Sequence, residues 1–370
     1  GRTSGGILAE ERLLELTAPE ATFRFDDISE PPVLSLNRGF SAPVITKVDR
    51  GPDDLAFLSA HDDDPFARYE ALQELMSNWL EHATTGPFGT PDAILDALRR
   101  TLDDQSLDAA FKAEAMLPPA DTMMVERIGT LVDPMAVVAA RRGLRRAILD
   151  GLGRERWHDL FTSLATDPED LSPDAKGRRR LRAVALGYLF ADPDEKAIAA
   201  AEILYDDAGN MTERMAALTA LTDSAAPARE RVLADFHDRF AADANVIDKW
   251  FTVQAMAEAG DPLARAEALM RREDYREETP NRFRALVGGF AANMSGFHRA
   301  DGAGYRFLAD RILGVDGTNP QTAARFVAPL GRWRLFEPQR GTLMRAELDR
   351  ILATPGLSKD VREVATKSLG

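Results

Sequence analysis

The chain has 370 residues, a formal net charge of −14 at pH 7 and no cysteine. The absence of thiols excludes disulfides, thiolate zinc sites, iron–sulfur clusters and a cysteine nucleophile. Its acidity weighs against a nucleic-acid partner, since phosphate binding needs a basic face, and no apolar stretch approaches the roughly 20 residues that span a membrane.

Residues 1–46 differ in pattern from the rest of the chain. Short apolar stretches at residues 21–25, 33–36 and 40–45 are punctuated by prolines, which predicts short strands, some of them at sheet edges. So few strands would expose too much backbone to form a domain alone. We therefore expect the end of a small β-sandwich domain whose first strands lie upstream. The chain also begins at Gly1 without an initiator methionine, which we interpret as a piece of a longer polypeptide.

Residues 47–370 are predicted to form one helical domain. Helix starts are marked by a capping residue followed by proline, because proline at the first helical position loses no hydrogen bond. These pairs are Asp64-Pro65, Thr90-Pro91, Asp133-Pro134, Ser172-Pro173, Asp192-Pro193, Asp261-Pro262 and Asn319-Pro320. Their spacing is irregular and carries no fixed motif, which argues against consensus repeats. The expected fold is mostly α, an irregular superhelix of stacked antiparallel helix pairs.

Local catalytic and metal motifs are missing from the sequence. The histidines are His61, His82, His158, His237 and His298, and none lies within five residues of another. A helix-borne zinc site needs His-Glu-x-x-His, and neither a phosphate loop nor a Gly-x-Ser-x-Gly elbow is present. We therefore expect no catalytic residue, metal ligand or cofactor on this chain.

Two basic clusters cover residues 141–146 and 176–182. They allow an anion-binding interpretation. In a chain this acidic, we favour solvated helix faces on which arginines pair with carboxylates.

One segment departs from the ordinary helical pattern. A helix is predicted to begin after Pro280 with Asn281, Arg282 and Arg284 in its first turns. Cations at a helix N-terminus oppose the helix dipole. The arginines therefore either pair with acids, such as the adjacent Glu277 and Glu278, or provide a positive, hydrogen-bonding surface for a ligand. Glycines at 288 and 289 indicate close packing there.

Several stretches in the same order resemble the C-terminal part of the bacterial alanyl aminopeptidase N family, zinc metallopeptidases of the gluzincin class. They are Phe40-Ser41-Ala42-Pro43-Val44, Asn210-Met211-Thr212, Asp248-Lys249-Trp250-Phe251, Pro280-Asn281-Arg282 with Arg284, Asp301-Gly302 with Gly304-Tyr305 and Phe307-Leu308, and Asn319-Pro320-Gln321. Each stretch is short, but together they cover the chain from the β-remnant nearly to Gly370.

The resemblance implies that residues 1–46 end an immunoglobulin-like sandwich and that residues 47–370 form the helical domain of a larger enzyme. The zinc motif and catalytic groups would lie upstream, in a catalytic domain of the same polypeptide. This chain would cap that active site and shape a chamber for short peptides. Asn281, Arg282 and Arg284 match a chamber-facing helix start, and spacing alone does not say which arginine faces the chamber. A cytoplasmic location follows from the family and from the absence of cysteine.

A second hypothesis belongs to another class of protein. The same helix content and acidity suit a stand-alone α-superhelical scaffold that binds protein or peptide partners on its concave face. The upstream reading frame discriminates between the two, because only the enzyme requires a His-Glu-x-x-His motif there.

Overall fold

A computed structural model describes residues 2–3, 6–7, 12–26 and 28–370 of the chain. A short antiparallel pair joins β1 (Arg2–Thr3) to β2 (Gly6–Ile7). The helices are α1 (Pro52–His61), α2 (Pro65–Ala83), α3 (Asp92–Asp103), α4 (Ala109–Ala115), α5 (Asp121–Ile128), α6 (Pro134–Leu152), α7 (Arg154–Ser163), α8 (Pro173–Leu189), α9 (Glu195–Asp207), α10 (Met211–Thr222), α11 (Arg229–Phe240), α12 (Ala244–Met256), α13 (Pro262–Met270), α14 (Pro280–Phe283), α15 (Gly289–Ala292), α16 (Met294–Phe297), α17 (Ala303–Asp316), α18 (Pro320–Arg325), α19 (Ala328–Gly331), α20 (Pro338–Ala353) and α21 (Lys359–Leu369). Two 3₁₀ turns cover Arg38–Phe40 and Trp333–Leu335, and a π-helical turn covers Arg284–Gly288.

The strands predicted at residues 21–25, 33–36 and 40–45 are wrong as local structure. Over the described part of residues 12–50 the backbone forms no β-ladder, and Phe40 closes the first 3₁₀ turn. A strand needs a partner for its N–H and C=O groups, and no neighbouring segment of the described chain supplies one. Apolar side chains of this segment therefore stay exposed, and Ile45 is 92% accessible.

The N-terminal segment is attached to the start of α2. Arg38 Nη1 donates to Asp62 Oδ1 at 2.5 Å, and the Gly39 amide donates to Asp64 Oδ2 at 3.0 Å. The other oxygen of Asp64 caps α2 by accepting from the Ala67 amide at 2.8 Å. The acidic run before α2 is thus accounted for by capping and by this attachment.

Most of the predicted helix starts are correct. Helices α2, α6, α8, α13 and α18 begin at the proline of a predicted pair, and the preceding residue caps each of them through its side chain. Two starts are displaced. Helix α3 begins one residue after Pro91, and α9 begins at Glu195, after Asp194 rather than after Asp192.

The middle of the domain consists of two layers of helices. Helices α6, α8, α10 and α12 pack side by side and are followed in the same layer by residues 280–292, while α7, α9, α11 and α13 return between them. Short connections make successive helices antiparallel, so helices within one layer run parallel. A continuous apolar core lies between the layers, where Trp157 stacks on Tyr188 at 4.4 Å. This is the irregular superhelix of antiparallel helix pairs that the sequence predicts.

Among the helices of the described chain, none combines the length and the apolar character needed to cross a bilayer.

Candidate functional site

The segment singled out in the sequence lies at the end of the α6-to-α12 layer. Pro280 opens α14, and the helix continues through the π-helical turn into α15. The turn packs closely on its neighbours, since a Cβ on Gly289 would lie 2.9 Å from the Ala255 Cβ of α12. This confirms the close packing predicted for the glycines. Single π-helical turns inside helices are frequent at functional sites.

Arg282 is turned into the protein. Its Nε donates to Asp248 Oδ1 at 2.5 Å, and its guanidinium also donates to the Asp274 carbonyl. The guanidinium carbon lies 4.7 Å from the ring centroid of Phe251, and only 11% of the side chain is accessible. Arg282 therefore ties α14 to α12.

Arg284 and Asn281 are both exposed and lie together. Arg284 Nη1 donates to Asn281 Oδ1 at 3.0 Å. One guanidinium edge is fixed by this bond, while the rest of the group faces solvent. Of the two arginines that spacing left equivalent, Arg282 is therefore largely buried and Arg284 is exposed.

The adjacent glutamates do not pair with these arginines. Glu277 instead accepts from Arg311 at 3.3 Å. Asp248, 34 residues earlier, supplies the counter-charge for Arg282. Asp248 stands in one of the stretches that carry the family resemblance, but its role as a partner had no local signal.

A polar cluster lies beside this helix start. His237 Nε2 lies 2.6 Å from Asp274 Oδ2, and Arg272 Nε donates to Asp274 Oδ1 at 2.9 Å. Burial by itself would raise the pKa of the Asp274 carboxyl. Hydrogen bonds from Arg272 and His237 outweigh that effect, so the pKa is lowered and the carboxylate stays charged.

The remaining histidines do not assemble a metal site. His298 Nδ1 lies 2.8 Å from the Tyr305 hydroxyl, and His158 Nε2 is 3.6 Å from Asp194. In the described ranges, no three His, Asp or Glu side chains are arranged to hold a metal ion together. The side chains that the structure describes therefore do not fit a zinc centre.

The two basic clusters are mostly structural, as the sequence analysis favours. Arg182 pairs with Glu213 at 2.5 Å, and Arg146 pairs with Asp150 at 2.9 Å. Arg145 donates instead to the Gly187 carbonyl. The contacts of Arg182 and Arg145 join neighbouring helices of the layered core, whereas the Arg146 pair lies within α6.

The fold defines a helical-repeat domain preceded by a short segment of another type. Residues 52–370 match the family described as "Domain of unknown function (DUF3458_C) ARM repeats", and residues 2–49 match "Domain of unknown function (DUF3458) Ig-like fold". The chain belongs to the DUF3458_C family, the C-terminal domain of aminopeptidase N.

Named relatives are similar in sequence to this chain along nearly its whole length. Aminopeptidase N of Caulobacter vibrioides is 41% identical over 99% of this chain and 43% of its own length. Aminopeptidase N of Escherichia coli is 31% identical over 96% of this chain and 42% of its own length. A crystal structure of Legionella pneumophila aminopeptidase A in complex with aspartic acid superposes with a TM-score of 0.89 at 29% identity, covering 99% of this chain and 44% of that one. The chain thus spans less than half the length of these relatives.

Proposed function

We propose that this chain is the C-terminal part of a zinc-dependent aminopeptidase that removes N-terminal amino acids from short peptides. The carrying observation is the match to relatives named aminopeptidase N over 99% of this chain but only 43% of the relative's length. In this proposal residues 1–46 end a β-sandwich and residues 47–370 form the helical domain. An upstream catalytic domain of the same polypeptide is its partner.

Zinc belongs to that upstream domain in this proposal. The sequence contains no His-Glu-x-x-His, and its dispersed histidines offer no group of ligands in the described structure. When bound there, zinc would supply a Lewis acid that activates water for hydrolysis of the first peptide bond. No step of that reaction is assigned to a residue of this chain.

The contribution of this chain is to cap the active site and to shape the peptide chamber. Exposed donors on a rigid helix suit that role, because a guanidinium binds carboxylates and carbonyls through charge-assisted hydrogen bonds. Arg284, oriented by Asn281, offers such a donor, whereas Arg282 holds the helix in place. We place the protein in the cytoplasm, in keeping with a chain that has no cysteine.

The test begins with the gene. The reading frame upstream of Gly1 is expected to contain His-Glu-x-x-His, and the product of the entire frame is expected to hydrolyse an alanyl chromogenic amide in a chelator-sensitive way. The 370-residue chain with added zinc serves as the control and is expected to be inactive. Turnover by this chain alone would contradict the proposal. An upstream frame without the zinc motif would favour the stand-alone scaffold.

A further inference from the structure

A cavity lies between α8 and α10, away from the α14 helix start. Its volume is about 800 Å³, within the range typical of small-molecule and peptide sites. The groove follows the two helices, which run parallel because α9 returns between them.

One end of the groove is cationic. Lys176, Arg179 and Arg180 all come from the first half of α8. Arg180 pairs with Glu114 at 2.9 Å, but Arg179 donates to the Asp170 carbonyl and to other uncharged oxygens. Within residues 12–26 and 28–370, no carboxylate lies within 4.0 Å of the charged atoms of Lys176 or Arg179. Because Arg179 is buried and its guanidinium is bonded to these oxygens, Lys176 is the exposed cation at this end that has no carboxylate partner among the described residues.

The N-terminus of α10 opens at the same end. Asn210 caps this helix by accepting from the Glu213 amide at 3.0 Å, and Thr212 in the first turn lines the groove. First-turn amides have no carbonyl partner within their own helix, and the helix dipole adds partial positive charge there. Together with the cations of α8, this end favours an anion.

The opposite end has a different character. Arg145 donates to the Gly187 carbonyl there, and Asp223 accepts from the Glu258 and Ala259 amides. Arg145 and Asp223 carry opposite charges and influence one another, so this end offers an anion no net positive charge. Lys176 and Gly187 are separated by about 16 Å along α8 at 1.5 Å per residue, which is the length of four or five extended residues.

The wall between the two ends is largely apolar. Ala183 of α8 and Phe190, just after the end of α8, line the groove together with Met215 and Ala216 of α10, and all four are partly accessible. Such a wall accepts short apolar side chains but offers no second strong anion site. The difference in charge between the two ends of the groove therefore fixes the direction in which an elongated ligand binds.

We propose that this groove binds a short peptide with its C-terminal carboxylate at Lys176, beside the N-terminus of α10, and its side chains along the apolar wall. The identification of the ligand as a peptide rests on the proposed function, whereas the preference for a carboxylate rests on the groove itself. An acidic side chain offers the same chemistry as a peptide C-terminus, so the test separates the two sources.

The test is isothermal titration of the chain with three N-acetylated tetrapeptides of alanine and phenylalanine. One ends in a free carboxylate, one ends in an amide, and one ends in an amide but carries glutamate at its third position. Loss of one charge-assisted contact is expected to weaken the amide peptide about tenfold. Raising the salt concentration is expected to weaken the free acid further.

Two variants locate the site. Lys176→Met is expected to weaken the free acid about fivefold to tenfold and to leave the amide unchanged. Ala216→Phe fills the groove and is expected to prevent binding of both, with circular dichroism confirming that the variant is folded. Lys359→Met is the matched control, since Lys359 is exposed on α21 and lies outside the groove.

Equal affinity for the free acid and the amide would overturn the proposal, as would an unchanged preference in Lys176→Met. Undetectable binding of the free acid at millimolar concentration would also overturn it. If the glutamate peptide binds as tightly as the free acid, the assignment to the peptide C-terminus is wrong. Because the titration involves no turnover, an inactive full-length product would contradict the proposed function without changing this result.

Discussion

The Arg282 guanidinium donates from Nε to Asp248 Oδ1 at 2.5 Å, and this contact joins the start of α14 to α12. Phe251, one turn further along α12, lies under the same guanidinium at 4.7 Å. Arg282 is therefore held by charge and by an aromatic face at once. That anchoring fixes the backbone from which Arg284, two residues later, reaches solvent.

Replacing Arg282 is expected to destabilise the domain. In Arg282→Ala, Asp248 is left partly buried without its partner, so the free energy of unfolding should fall by about 2–3 kcal/mol. Arg284→Ala should change it by less than about 0.5 kcal/mol, because Arg284 is exposed. Urea unfolding followed by circular dichroism measures both values. Equal losses of unfolding free energy in the two variants would show that Arg282 and Arg284 do not differ in burial and bonding as described.

Replacing Arg284 tests the proposed chamber role in the product of the entire reading frame. Arg284→Ala is expected to raise KM for tetrapeptides about tenfold by removing one charge-assisted contact, and to leave KM and kcat for a small alanyl amide unchanged. Arg100→Ala is the control, since Arg100 is an exposed arginine of α3. Equal loss on both substrates would indicate a structural role for Arg284 instead.

His298 should make the stability of the domain sensitive to acid. Burial, followed by the charges of Arg340 and Arg332, lowers the pKa of His298 from 6.5 to about 3, and its Nδ1 lies 2.8 Å from the Tyr305 hydroxyl. Below pH 6.5 the His298 side chain binds a proton in the unfolded chain but stays neutral in the folded chain. The contribution of His298 to the free energy of unfolding should thus fall by about 1.4 kcal/mol per pH unit between pH 6.5 and about 3.

The variant His298→Gln isolates this effect, because glutamine keeps a hydrogen-bond acceptor but does not titrate. Its free energy of unfolding is expected to depend less steeply on pH than that of the native chain. His82→Gln, at an exposed position, should follow the native curve. Parallel curves for His298→Gln and the native chain would refute the assignment.

A helix start can be predicted from the local sequence unless a distant residue binds the side chain that would cap the helix. At the Asp192-Pro193 pair, the Asp192 carboxylate is engaged by Arg146 at 2.9 Å and Arg154 at 2.8 Å. Asp194 therefore caps α9 instead, accepting from the Ala197 amide at 2.7 Å. No residue next to Asp192 in the sequence indicates that these arginines lie close to it in the fold.

The candidate site shows the same limit. Sequence pattern identified Asn281, Arg282 and Arg284 as unusual for a helix start, but spacing did not separate the arginines. Their directions depend on Asp248, 34 residues away, and on the π-helical turn that begins at Arg284. The strands predicted before residue 46 failed for a related reason, because period-2 patterning says nothing about whether a partner strand is present.

Gly304, in the Gly304-Tyr305 stretch that carries the family resemblance, lies against the backbone of α16. A Cβ at this position would lie 2.8 Å from the Phe297 Cα and closer still to the Phe297 carbonyl oxygen. These are backbone atoms that do not yield easily, so Gly304→Ala should lower the free energy of unfolding by about 3 kcal/mol. Gly317 is the control, because its φ is −68° and a Cβ there meets nothing within 4 Å. Gly317→Ala should be neutral or stabilising by up to about 1 kcal/mol. Similar unfolding midpoints in urea for the two variants would mean that α17 and α16 do not approach as closely as described.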